Sequence, residues 1–213
     1  NNNEELDTDF VLSKSNIAKL KNQNDIEAKK IEKRERIDLS NKNSYLFKSW
    51  NSDNSPILPM IQIDQGKDDS STKLWIHTNN IAEIIDLNSK KSLEIFFNSF
   101  ESIPLLNNWQ NYLCETIRHD SEFRLGKKNK AISLCLHLDS NNEITEWSFH
   151  LTLVKCSLIV GSDQTDALIS RKSKTRITSR ILKPIKPYIE DLDKILEIST
   201  SFRQRHILEG NVE

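Results

Sequence analysis

Two stretches of alternating apolar and polar residues, Ala131–Asp139 (AISLCLHLD) and Glu143–Val154 (EITEWSFHLTLV), are separated only by Ser140-Asn141-Asn142. Side chains on a strand alternate between faces, and Ser/Asn triplets favour tight reversal. The pair therefore predicts an antiparallel hairpin with one face committed to a core. Whatever else the chain does, it must build a sheet around this hairpin and cover that face.

The rest of the chain supplies partners for it. Ile57–Asp64 (ILPMIQID) predicts a buried strand, Gln65–Thr72 a polar turn, and Leu74–His77 (LWIH) the neighbouring strand. Leu93, Phe96, Phe97 and Phe100 fall at helical spacing behind Ser89, a good N-cap residue. Trp109–Ile117 is expected to form a short helix. Tyr188–Leu208 is expected to form a long amphipathic one, opened by Pro184 and Pro187 and closed by Gly210. Near the start, Ser13–Arg36 carries Ile17, Leu20 and Ile31 on one face and a Lys/Glu-rich face opposite. Leu39–Pro56 is Asn/Ser-rich, with Tyr45, Phe47 and Trp50 embedded, and is expected to be a loop that packs by its aromatics. Helices and strands mixed in this order predict an α+β fold, a mainly antiparallel sheet with packed helices. Residues 1–56 are expected to form an N-terminal helix and polar linker, and residues 57–213 the domain proper.

Composition narrows the setting. Four glycines in 213 residues leave little for a glycine-rich phosphate loop. The formal net charge of −1 gives no bulk attraction to nucleic acid, but the distribution is uneven. Between Arg171 and Lys186 stand seven basic residues and no acidic one. Cys114, Cys135 and Cys156 are far apart, with no metal-ligand spacing, and are expected to be reduced thiols of a cytoplasmic protein. No apolar run approaches a membrane span. The chain opens on Asn1 and is expected to be a fragment of something longer.

An ordered series of motifs then becomes visible. Ile63-Asp64 ends a strand, and Leu74-Trp75-Ile76-His77 follows. Asn98-Ser99-Phe100 runs into Ile103-Pro104-Leu105-Leu106. Gly126 precedes Ala131-Ile132-Ser133-Leu134, and Leu138-Asp139 precedes Glu143-Ile144. Phe202-Arg203-Gln204-Arg205 leads to Glu209-Gly210. In order and spacing this set resembles the first half of the RNB catalytic domain of RNase II/RNase R-type 3′→5′ exoribonucleases. The resemblance implies a partial RNB-like fold, single-stranded RNA as substrate, and magnesium held by a cluster of aspartates after the ID strand. It also implies a partner, either the missing second half of the catalytic domain or another chain. Phe100 aligns with an aromatic that stacks on a terminal base in that family.

The sequence also departs from the family pattern. Thr78-Asn79-Asn80 stand where the family has IAD, and the segment between the ID strand and the LWIH strand is short. Several carboxylates must converge on a hydrolytic magnesium site, because the ion takes about six oxygen ligands at short range. Asp64, Asp68 and Asp69 are the available candidates for both catalysis and metal binding, with Lys67 beside them. Asp, Gly, Lys and Ser also make up ordinary solvated turns. The expectation is an RNB-like protein with a degenerate or incomplete active site; the alternative is a non-catalytic RNA-binding or protein-interaction module on that fold. For RNA contact the candidates are Phe100, Arg171, Lys172, Lys174, Arg176 and Arg180. Against these stand core packing of Phe100 with Phe96 and Phe97, and a solvated basic loop. His77 is expected to be a half-buried structural histidine, and Trp75 and Trp147 core residues. If the rest of a catalytic domain is missing, an exposed apolar face is expected where it would pack.

Overall fold

The structure is a computed structural model that describes residues 36–48, 56–66, 71–83, 102–105, 108–110, 115–171 and 180–210. The chain divides into two compact units, residues 1–35 and 36–213, and every described residue lies in the second. The helix expected over Ser13–Arg36 and the one expected over Ser89–Phe100 lie outside the described residues, apart from Arg36.

The predicted hairpin is the centre of the domain. Strand β7 (Lys128–Leu138) pairs antiparallel with β8, which runs on well past Val154 to span Ile144–Gly161. Asp139 organises the turn: its Oδ1 accepts from the backbone N–H groups of Asn141 (2.9 Å) and Glu143 (2.7 Å). Asn142 takes a left-handed conformation (φ 59°), which asparagine tolerates at such a turn.

Six further strands precede the hairpin among the described residues, four in the main sheet and two beside it. Strands β1 (Ile37–Asp38) and β2 (Ser44–Lys48) pair parallel with β8. Strands β3 (Met60–Gln65) and β4 (Thr72–Asn79) form the second antiparallel pair, and β4 pairs with β7. Because β2 pairs with both β3 and β8, the strands β2, β3, β4, β7 and β8 close into a ring. Strands β5 (Ile103–Leu105) and β6 (Asn108–Gln110) make a separate two-stranded sheet.

Two predictions need correction here. Leu39–Pro56 is not all loop, because Ser44–Lys48 is a ring strand. Tyr45 and Leu46 are both buried, facing opposite sides of the sheet, so the segment lacks the polar–apolar alternation that marks a half-exposed strand. The expected linker thus contributes β1 and β2 to the domain. Trp109–Ile117 is not one helix either. Trp109 sits opposite Pro104 in a strand pair, and the helix α1 (Glu115–Ser121) begins later.

The ring buries both faces. One carries Leu46, Met60, Trp75, Ala131, Cys135, Val154 and Cys156. The other carries Tyr45, Ile63, Leu74, Leu136, Leu138 and Val160, and is covered by α2 (Ser162–Ser170) and α3 (Ile189–Leu208). The amphipathic prediction for α3 holds: Ile189, Leu192, Ile195 and Ile198 form its buried stripe. Gly210, at φ +83°, ends it in a left-handed conformation, donating its N–H to Ile207 O at 3.0 Å. Two polar contacts lock α3 to the hairpin tip. Asn142 Nδ2 donates to Glu197 Oε1 at 3.2 Å, and the Arg205 guanidinium donates to Asn142 O. Trp75 is core, at 6% exposure. Trp147 is not: it is 61% exposed, because its position on β8 lies beyond the area that α3 covers.

Candidate nucleic-acid interface

Asp64 stands near the end of β3, where the strand leaves the sheet. Its carboxylate is ion-paired with Lys42 of the β1–β2 connection, and its cross-strand partner on β4 is Lys73. The group is 36% exposed. The β3–β4 turn closes where Gly66 N–H meets Ser71 O at 3.0 Å; Asp68 and Asp69 lie outside the described residues. Among the described residues no three His, Cys, Asp or Glu side chains come together as metal ligands. One carboxylate flanked by two lysines lacks both the negative charge and the oxygen count that magnesium requires. The described residues therefore do not fit a magnesium site.

His77 sits on β4 and is fully buried, not half-buried as expected. Its Nδ1 is 2.7 Å from Ser133 Oγ, which is 2.6 Å from Thr152 Oγ1. Beside this chain, Ser44 Oγ donates to Gln62 Oε1 at 3.1 Å. These side chains form a polar seam on one face of the ring. Burial pushes the His77 imidazolium pKa down to about 4, so the ring is neutral near pH 7. It reaches no solvent and has no carboxylate partner, which fits a structural role and no acid–base one.

The basic segment divides in two. Arg171, at the end of α2, has a guanidinium only 11% exposed and ion-paired with Asp193 of α3. It lines a cleft of about 880 Å³ together with Glu190, Lys194 and Glu197. Its charge is spent inside the domain. Lys172, Lys174 and Arg176 lie outside the described residues, as does Phe100. Arg180 is exposed.

Beyond Arg180 the chain enters a 3₁₀ helix, Lys183–Tyr188. In such a helix, side chains three apart eclipse one another. Leu182 and Ile185 are buried, while Lys183 and Lys186, spaced by three, share an exposed side of this helix, and Arg180 is exposed just ahead of it. Lys183 and Lys186 were counted within the basic run but were not singled out as RNA contacts. The three-residue spacing, with Pro184 and Pro187 beside it, is the signal that could have found them.

Comparison with known proteins gives this architecture a family. The RNB domain profile matches residues 36–213. No curated protein matches the chain. Among solved structures, RNase R from Mycoplasma genitalium in complex with ribose-methylated single-stranded RNA is 16% identical, with a TM-score of 0.57 over 76% of this chain and 25% of that one. Yeast Ssd1, described as a pseudonuclease, is 19% identical, with a TM-score of 0.62 over 84% of this chain and 20% of that one. An active-site mutant of the Candida glabrata exoribonuclease Dss1 is 15% identical, with a TM-score of 0.63 over 84% of this chain and 23% of that one. The chain thus spans a quarter or less of the length of these three proteins. With the profile matching from the first described residue to the end, and the mixed α+β fold shared with these structures, the chain belongs to the RNB domain family.

Proposed function

We propose that this chain is the leading part of an RNB domain of 3′→5′ exoribonuclease descent that engages single-stranded RNA and carries a degenerate metal site. The observation that carries the reading is the pairing of Asp64 with Lys42 inside an RNB fold. The one described candidate ligand is neutralised by a cation from its own domain. The likeness to a pseudonuclease and to an exoribonuclease alike supports a fold on which catalysis is separable from structure. RNA engagement is supported by the exposed cations Arg180, Lys183 and Lys186, whose charges suit backbone phosphates. The described residues offer no set of ligands for magnesium, and no hydrolytic step is assigned to them. The rest of the catalytic domain, or another chain, is the partner that this reading calls for. Cys135 and Cys156, buried free thiols whose pKa values burial raises, suit a reducing cytoplasm.

The test is a 5′-end-labelled single-stranded oligoribonucleotide incubated with the 213-residue chain and magnesium. Expected is salt-sensitive binding with no shortening of the label. Processive release of mononucleotides that disappears in Asp64→Asn would overturn the degenerate-site reading. Absence of any RNA affinity at low salt would overturn the RNA-engaging one.

A further inference from the structure

The first residues of β7 and the turn before them gather lysines. Lys128 and Lys130 lie two apart on β7, and the register sets Lys128 directly opposite Lys155 of β8. Val154 and Cys156 are buried in the ring. Lys155, between them, therefore points to the outer face, and Lys128 and Lys130 share that face. Gly126, at φ +75°, donates its N–H to Cys156 O at 2.8 Å, and Lys127 N–H closes the turn on Arg124 O at 3.1 Å. The turn holds the exposed Lys127 next to this pair. Backbone pairing fixes these positions, and like charges set directly opposite each other destabilise a sheet. The nearby carboxylates are already engaged. Asp38 Oδ1 accepts from Ser40 N–H at 2.9 Å, and its Oδ2 lies 3.7 Å from Lys128 Nζ. Glu83 takes Arg36 and Asn80 on Oε1, and Lys130 on Oε2 at 3.0 Å. Among the described residues no carboxylate pairs with Lys127 or Lys155. Arg36, Lys127, Lys128, Lys130 and Lys155 thus stand against only Asp38 and Glu83.

We propose that this outer face of β7 and β8, with Lys127, Lys128 and Lys155 at its centre, is a phosphate-binding surface for single-stranded RNA, additional to Arg180, Lys183 and Lys186. It rests on the RNA-engaging reading above and gives that reading a surface on paired strands. Charge complementarity selects the partner. An anion seated between Lys128 and Lys155 relieves their mutual repulsion. A single carboxylate answers one such lysine. A phosphodiester strand carries a charge at every nucleotide and can follow a row of fixed cations. Lysines on phosphates carry no sequence information, so the contact is expected to be indifferent to base identity.

The test is the anisotropy of a fluorescent single-stranded oligoribonucleotide titrated with the full 213-residue chain across a salt series. The unmodified chain is compared with Lys127→Gln/Lys155→Gln and with Arg180→Gln/Lys183→Gln. Glutamine keeps most of the stem and removes the charge. Lys127→Gln/Lys155→Gln is expected to bind about fivefold or more weakly at low salt, with the slope of log K against log salt smaller by about 0.7 for each lysine that met a phosphate. Its urea midpoint is expected to hold or rise, because the opposed charge is gone. Unchanged affinity and slope, with Arg180→Gln/Lys183→Gln weakened, overturns the proposal and leaves the RNA reading standing, whether the rest of a longer domain or some other anion then covers these lysines. A urea midpoint that falls together with the affinity overturns it equally, since the lysines then serve the fold. An unmodified chain that binds no oligoribonucleotide at low salt overturns the RNA reading and this surface with it.

Discussion

Single residues decide how far the family's chemistry carries over. Asp64 was visible in the sequence as the candidate ligand, but Lys42, which spends its charge, is distant along the chain and is brought to it only by the β1–β2 turn. Ion pairs formed across the fold leave no local signature. The same holds for Arg171, selected for its basic neighbours but bound to Asp193. Arg171→Ala is therefore expected to lower stability by about 1–2 kcal/mol, the cost of leaving Asp193 without its hydrogen-bonded partner, and to leave RNA affinity nearly unchanged. Arg180→Ala is expected to leave the denaturation midpoint unchanged and to reduce the salt dependence of RNA binding by about one phosphate contact. Urea titration and fluorescence anisotropy across a salt series distinguish the two. His77 makes a third prediction at this scale. Its pKa falls from an ordinary 6.5 to about 4 in the fold. Between those values the unfolded chain takes up a proton that the native chain refuses. Its contribution is thus fully present above pH 6.5 and is lost as pH falls towards 4, by up to about 3 kcal/mol. Urea midpoints measured over that range are expected to fall, and His77→Asn to flatten the slope.

At the scale of elements, legibility followed how cleanly each segment meets water on one side. The β7–β8 hairpin and α3 were readable because burial alternates with exposure at the period of the element. Strand β2 was not, since both its faces are covered and its flanks are rich in Asn and Ser. Tyr45 is the clearest case. It read as a loop aromatic but is fully buried, donates its hydroxyl to Asp191 and meets Tyr188 edge-to-face at 5.9 Å. Burial and the neighbouring Asp191 raise its pKa far above the ordinary range, so it remains a neutral donor. Trp147 failed in the other direction: alternation placed it on the apolar face, but nothing in the sequence said how far along β8 the helix would reach. Ile198, fully inside the α3 stripe at 1% exposure, is expected to cost about 2–4 kcal/mol when replaced by alanine. Guanidinium denaturation checks it, and a cost below 1 kcal/mol would mean that α3 packs less tightly than its burial implies.

Across the whole molecule, an RNB fold is retained while the described residues lack the charge arrangement that hydrolysis by a divalent ion demands. The ordered motifs from Ile63-Asp64 to Glu209-Gly210 were enough to read the family, because they record strand ends, turns and helix caps that the fold cannot do without. The state of the site was only half legible. Asp64 is legible as a candidate from its place near the end of the ID strand, but its ion pair with Lys42 is not. Trp147 and Phe149 form an exposed aromatic pair on β8. Calorimetric titration of magnesium into the chain tests the central claim most directly. The predicted result is no saturable heat with Kd below about 1 mM, in the unmodified chain and in Asp64→Asn alike. A stoichiometric site that Asp64→Asn abolishes would contradict it.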